Sequence, residues 1–74
     1  MMPVLKIYDI APDGVRIVLD WDAFELGASM FIPCIDTEEA VKQIDKIASQ
    51  KGFKFTYKPM IVNEKWGVRI WRTL

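Results

Sequence analysis

Few side chains in this sequence belong to the types that perform covalent chemistry. Histidine is absent, so the commonest general base and metal ligand is missing. The one cysteine, Cys34, lies in an apolar stretch without a base to activate it, and a buried, inert thiol is expected there. The glycines lack the spacing of a phosphate-binding loop. The sequence therefore predicts a protein that is not an enzyme.

Asp20 and Asp22, with Glu25 nearby, are the strongest candidates for a cation site. Two carboxylates placed two residues apart on a strand point the same way and could hold Mg²⁺, but such a site usually needs further ligands or a substrate phosphate. An exposed acidic surface is the favoured interpretation of these three residues. We therefore predict neither a metal site nor a cofactor.

The charged side chains are sorted along the chain, although its formal net charge is zero. Residues 1–39 contain two basic and eight acidic residues, a net charge of −6, whereas residues 40–74 contain eight basic and two acidic residues, a net charge of +6. Such an asymmetry points to an anionic partner or to self-association. Complementary charges on one chain offer a route to a homodimer, and the sequence leaves the oligomeric state open.

The length of 74 residues fits one domain, residues 1–74, because a chain this short cannot bury a second core. Within it, residues 1–14 are a candidate for a peripheral strand and turn. No apolar run approaches the roughly 20 residues of a transmembrane helix. No secretory signal pattern opens the chain, and a single cysteine is typical of a reducing compartment. A cytoplasmic protein without a membrane partner is expected.

The clearest element is a helix over about residues 37–51. Asp36, followed three residues later by Glu39, fits the N-terminal capping pattern. One apolar stripe at helical spacing follows, made of Val41, Ile44, Ile47 and Ala48. Gly52 can adopt the left-handed conformation that closes a helix.

Alternation with a period of two predicts strands on both sides of this helix. Before it, residues 15–21 alternate, and residues 29–34 form a shorter strand that Pro33 confines to a sheet edge or stops. Residues 4–10 are the candidate for an extra N-terminal strand, with a turn at residues 12–14. After the helix, residues 53–58 alternate up to Pro59, residues 63–65 favour a turn, and residues 66–73 alternate again. The order strand, strand, helix, strand, strand predicts an α+β fold with one antiparallel sheet and one helix packed on one face.

A single helix leaves the other face of the sheet uncovered. If Val68 and Ile70 point toward the helix, then Arg69 and Trp71 project outward. Cations on such a face can follow phosphates while a ring stacks on a base, for about 1–3 kcal/mol per base. The residues predicted to bind nucleic acid are Lys54, Lys58, Lys65, Arg69, Trp71 and Arg72. Solvent-facing lysines also serve solubility, and Trp71 could instead be covered by the N-terminal segment or by a dimer partner.

Three segments carry recognisable motifs: WDAFELGASMFIPC at residues 21–34, GFKFTYK at residues 52–58 and GVRIWRTL at residues 67–74. Together they resemble a group of very small proteins encoded by tailed bacteriophages and related mobile elements. That group has a Gly-x-Ser-aromatic-aromatic-x-Pro segment, in which Met30 here replaces the first aromatic residue, and a Val-Arg-x-Trp-Arg ending. The resemblance implies a phage origin, the cytoplasm of an infected bacterium, and that Arg69, Trp71 and Arg72 form a unit. It implies no activity.

Three functions follow from these observations. The first is a phage accessory protein that binds nucleic acid through the open face of its sheet. The second is a protein-interaction module in which Asp20, Asp22 and Glu25 form an acidic surface that modulates a host or phage protein. The third is a structural or assembly component.

Overall fold

One helix and one sheet make up the regular structure of residues 9–74, the part of the chain that the computed structural model describes. A single turn of 3₁₀ helix at Trp21–Ala23 is followed by strand β1 (Ser29–Pro33), helix α1 (Thr37–Lys51), strand β2 (Phe55–Val62) and strand β3 (Lys65–Arg72). All strand pairs are antiparallel. The predicted α+β class is therefore confirmed.

Helix α1 begins and ends where its capping residues predict. The Asp36 carboxylate accepts the backbone N–H of Glu39 at 3.0 Å, which satisfies one of the free donors of the first turn. At the other end Gly52 has a φ of 77° and donates its N–H to the Ala48 carbonyl at 2.8 Å. That left-handed conformation is easy for glycine and ends the helix. The predicted bounds, residues 37–51, are confirmed.

The sheet has the order β1-β3-β2, with the C-terminal strand in the middle. A two-residue turn at Asn63 and Glu64 joins β2 to β3, and both residues have positive φ, 50° and 65°. Two consecutive positive values are typical of the type I′ turn, whose twist matches that of the flanking strands. The predicted turn is confirmed, and it fixes the register that pairs Val62 with Lys65 and Lys58 with Arg69.

Both outer strands contain a proline. β1 ends at Pro33, and β2 continues through Pro59 without losing its register on β3. Alternate residues of an outer strand direct their backbone groups away from the sheet. The Cys34 N–H donates to the Trp66 carbonyl of β3, so the backbone nitrogen of the preceding residue, Pro33, points away from the sheet. On β2 the alternation starts at Val62, which pairs with Lys65 next to the turn, and it also places the Pro59 nitrogen on the outer side. Neither proline removes a hydrogen bond from the sheet.

The core lies between the sheet and α1. Ile32, Val68 and Ile70 come from one face of the sheet and have no exposed surface, and Ile44 meets them from the helix. The segment before β1 adds Ile10, Trp21 and Phe24, and the residue after Gly52 adds Phe53. The rings of Trp21, Phe24 and Phe53 lie with centroids 5.6 to 5.8 Å apart, within the range of favourable aromatic pairs.

The strand predicted over residues 15–21 does not form. Within the described residues this segment makes one isolated bridge, between Ile10 and Ile17, and then becomes the 3₁₀ turn that starts at Trp21. The reason is tertiary packing, because Trp21 and Phe24 must both reach Phe53, and a spacing of three residues on one side suits a 3₁₀ turn rather than a strand. The sheet consequently has three strands instead of four.

The turn predicted at residues 12–14 is present, with the Gly14 N–H donating to Ala11 at 3.1 Å. The Asp13 carboxylate then accepts the N–H groups of Ile35 and Asp36 at 2.8 and 2.9 Å. These bonds fasten the turn to the start of α1. Most of the candidate N-terminal strand, residues 4–8, lies outside the described residues. In the described part of the chain, no helix has both the length and the apolar character needed to cross a bilayer.

Candidate nucleic-acid interface

The sheet face opposite α1 is the open face, and strand register defines its members. Residues that pair directly across antiparallel strands share a face, so every neighbour of Arg69 and Trp71 can be assigned. The open face consists of Ser29, Phe31 and Pro33 on β1, Thr56, Lys58, Met60 and Val62 on β2, and Lys65, Gly67, Arg69 and Trp71 on β3. None of these residues is acidic. All sheet residues of the fully buried core belong to the other face.

Lys58 and Arg69 stand directly opposite each other at the centre of the open face. Directly paired residues of an antiparallel sheet have Cβ atoms about 5 Å apart, and two like charges at that spacing destabilise the pair of strands. An ion pair joins Arg16 to Asp9, but within residues 9–74 neither Lys58 nor Arg69 is paired with a carboxylate that would relieve this repulsion.

The Arg69 side chain is held in place by neutral groups. Its Nη1 donates to the Ser29 hydroxyl at 3.2 Å, and its guanidinium carbon lies 5.9 Å from the centre of the Phe31 ring. Both neighbours restrict the guanidinium without cancelling its charge. An arginine carries five N–H donors, and within residues 9–74 the other donors of Arg69 make no hydrogen bond, so they can bind a ligand.

Apolar surface flanks these two cations at both ends of the open face. Trp71 is half-buried, opposite Ser29 and Thr56. At the other end the tip of the Phe31 ring occupies the space that a side chain at Gly67 would need, 2.7 Å from the site of its missing Cβ. Met60 lies opposite Gly67 on β2. The result is one cationic centre between two apolar patches.

Arg72 is separated from the other predicted cations. Its register partner is Phe55, which places it on the helix side of the sheet. There Nη1 donates to the Phe24 carbonyl at 2.8 Å and Nε to the Leu74 carbonyl at 3.0 Å, while the guanidinium lies 5.4 Å from the Phe53 ring. The expectation that Arg69, Trp71 and Arg72 form a unit is corrected, because residues 69 and 72 alternate to opposite faces.

The remaining predicted lysines lie away from the centre of the open face. Lys65 is exposed and starts β3 next to the turn, four residues from Arg69. Lys54 comes just before β2, where its carbonyl accepts the N–H of Thr73 at 2.9 Å. It also lines the groove between α1 and β2, so it stands at the edge of the sheet rather than at its centre.

The predicted acidic surface has a different setting. Asp20, Asp22 and Glu25 are all exposed, and Asp20 precedes the 3₁₀ turn while Asp22 lies inside it. The two aspartates are therefore not on a strand, and the geometry that would point them the same way is lost. Among the described residues, no group of three acidic, cysteine or histidine side chains is placed to hold a metal ion.

Cys34 lies on the helix side and is buried. Burial raises the pKa of its thiol, and the nearby carboxylates of Asp13 and Asp36 raise that pKa further. A thiol shifted in this direction is a poorer nucleophile at neutral pH, in keeping with the expected inert thiol.

Phe31, Ser29 and Met60 lie beside the two cations but were not predicted as site residues from the sequence. The alternation within residues 29–34 puts Ser29 and Phe31 on one face, but it does not say which strand they lie beside. Phe31 can be placed next to Arg69 only when the pairing of β1 with β3 is known.

Comparison with protein-family models, curated proteins and solved structures gave no match to this chain. The fold and the open face therefore define its class, a small α+β domain with one cationic sheet face. The phage origin, the cytoplasmic location and the homodimer stay predictions.

Proposed function

We propose that this protein binds nucleic acid through the open face of its sheet. The observation that carries the proposal is the Lys58–Arg69 pair, two cations directly opposite each other with no acidic residue on their face. A phosphate between them would turn a repulsion into two favourable contacts, and charge-assisted hydrogen bonds of this kind are stronger than neutral ones.

The surroundings of the pair favour a nucleic acid over a simple anion. Trp71 and Phe31 lie beside the cations, and aromatic rings next to phosphate-binding groups are the usual means of holding bases. Lys65 and Lys54 would add weaker contacts farther along the chain of phosphates. With so few cations the affinity of one molecule should be low and should fall steeply with salt.

The proposal is tested by titrating the full chain against fluorescein-labelled DNA and RNA oligonucleotides of about ten nucleotides, at about 50 mM and about 200 mM salt. The wild type should bind at low salt and lose affinity at high salt. A Lys58→Glu, Arg69→Glu double variant should lose binding at both concentrations, because both phosphate contacts become repulsive.

The matched control is Lys42→Glu, Lys46→Glu. It changes the net charge by the same amount, but both residues are exposed on α1, away from the open face. This variant should keep most of the affinity. Equal loss in both double variants would show that only total charge matters, and the proposed site would then be rejected. Absence of wild-type binding at low salt would reject the function.

A further inference from the structure

Along the central strand, the open face presents an apolar patch, a cationic centre and a second apolar patch. Trp71 lies at one end, Arg69 with Lys58 in the middle, and Gly67 covered by Phe31 at the other end. Strand residues advance by about 3.4 Å each. The two apolar patches are therefore about 14 Å apart along β3, with the cationic centre about 7 Å from either one.

This spacing has a consequence for the form of the ligand. Neighbouring bases in a duplex are stacked about 3.4 Å apart, and their edges are occupied by pairing. They cannot reach two patches that are about four times farther apart. Only a strand whose bases are unstacked can place one base at each patch while the phosphate that joins the two nucleosides stays in the middle.

From this geometry we infer, on the basis of the proposed function, that the ligand is single-stranded and that one dinucleotide step fills the open face. The bridging phosphate lies between Lys58 and Arg69. One base stacks on Trp71, and the next packs on Phe31 and Met60 above Gly67. Phe31 also positions Arg69, whose guanidinium lies against its ring, and Ser29 fixes the same guanidinium from the other side.

The first experiment compares the affinities for single-stranded and double-stranded ligands, using labelled thymidine and uridine oligonucleotides and their duplexes of equal length. The single strands should bind at least about ten times more tightly than the duplexes, because stacking on two rings is available only to them. Equal or tighter binding of the duplexes would overturn the inference and leave the proposed function intact. No binding of either form would overturn both. The DNA and RNA arms show whether the sugar matters.

Competition between two small ligands separates stacking from charge. Thymidine monophosphate carries about two negative charges and one base, whereas the dinucleotide TpT carries one bridging phosphate and two bases. If the site binds a dinucleotide step, TpT should displace the labelled strand at a concentration about ten times lower than the monophosphate does. Pure electrostatic attraction gives the reverse order, and that result would overturn the inference.

Intrinsic fluorescence reports the stacked ring directly. Trp21 is buried, and Trp66 is 45% exposed on the helix side, so a Trp66→Phe variant leaves Trp71 as the tryptophan that a ligand in solution can reach. TpT should quench its emission. Trp71→Leu should weaken single-strand binding about tenfold and leave duplex binding unchanged, while Tyr57→Leu, an exposed aromatic of the other face, should change neither. A Trp71→Leu variant with normal single-strand affinity would contradict the inference.

Phe31 needs a paired test because it also packs on Gly67. Phe31→Leu should weaken single-strand binding about tenfold, whereas Phe31→Tyr, which keeps the ring, should bind with an affinity close to that of the wild type. Circular dichroism melting identifies a folding defect in either variant. If the leucine variant is folded and binds like the wild type, Phe31 makes no contact with the ligand and the two-patch site is wrong.

Discussion

The two faces of the sheet consist of alternate residues of the same strands, yet the arginines on the two faces have different contacts. On the helix side Arg72 is bound by the carbonyls of Phe24 and Leu74 and packs on Phe53. On the open face Arg69 is held by a hydroxyl and a ring, opposite Lys58. Arg72 therefore has protein partners for its donors and contributes to stability. The charges of Lys58 and Arg69 have no acidic neighbour on the open face, and this contrast supports the proposed ligand surface.

The largest difference between the faces should appear in the neighbours Ile70 and Trp71. Ile70 has no exposed surface, so Ile70→Ala should lower the free energy of unfolding by about 3–4 kcal/mol through lost burial and the cavity left behind. Trp71→Ala should cost less, about 1–2 kcal/mol, because Trp71 is only half-buried and loses fewer contacts than a core residue. Urea denaturation of both variants measures this contrast. Similar losses would mean that the open face is packed in solution.

An intermediate effect is expected at Gly67, the position where the two faces are coupled. A methyl group there would meet the Ile32 carbonyl, the Phe31 ring at 2.7 Å and the Pro33 Cα at 2.8 Å. Two of these neighbours are backbone and cannot move away easily, so Gly67→Ala should cost about 2 kcal/mol of stability and displace Phe31 from its place beside Arg69.

Gly14→Ala is the control for Gly67→Ala, since Gly14 has a φ of 82° and no neighbour within 4 Å. It should cost about 1 kcal/mol through backbone conformation alone and leave single-strand binding unchanged. Thermal melting and the oligonucleotide titration compare the two variants. An unchanged affinity in folded Gly67→Ala would show that the Phe31 position is irrelevant to the ligand.

The smallest effect on stability, and an opposite effect on binding, is expected at Lys58. Lys58→Glu replaces a repulsion across the strands with an attraction to Arg69, so it should raise the free energy of unfolding by about 0.5 kcal/mol while abolishing binding. Lys58→Gln removes the repulsion only and should give a smaller gain. Both gains should shrink as salt screens the charges. A loss of stability in Lys58→Glu would show that the lysine already has a compensating partner.

Local signals were sufficient to predict α1 and the turn of the C-terminal hairpin, but the strand predicted over residues 53–58 in fact spans Phe55–Val62 and continues through Pro59. Asp36 and Gly52 act within one turn of the helix ends, and Asn63 accepts the positive φ that a tight hairpin needs. The open-face positions of Lys58, Arg69 and Trp71 also followed from simple alternation. In each case the residues that determine the structure are close together in the sequence.

Non-local packing explains what the sequence did not predict. Residues 15–21 alternate as a strand does, but Trp21 packs on Phe53, which is 32 positions away, and no local pattern contains that contact. Phe31 likewise became a neighbour of Arg69 only through the pairing of β1 with β3. Arg72 entered the predicted site through the resemblance, whereas the alternation alone assigns it to the helix side.

The prolines of the two outer strands affect how copies of this protein meet. Each proline lacks the backbone N–H that an added strand would need at that position. Neither edge strand therefore offers a continuous row of hydrogen-bond donors to which a second sheet could pair. Copies that meet edge to edge should therefore contact one another through side chains and remain separate molecules rather than extend one continuous sheet.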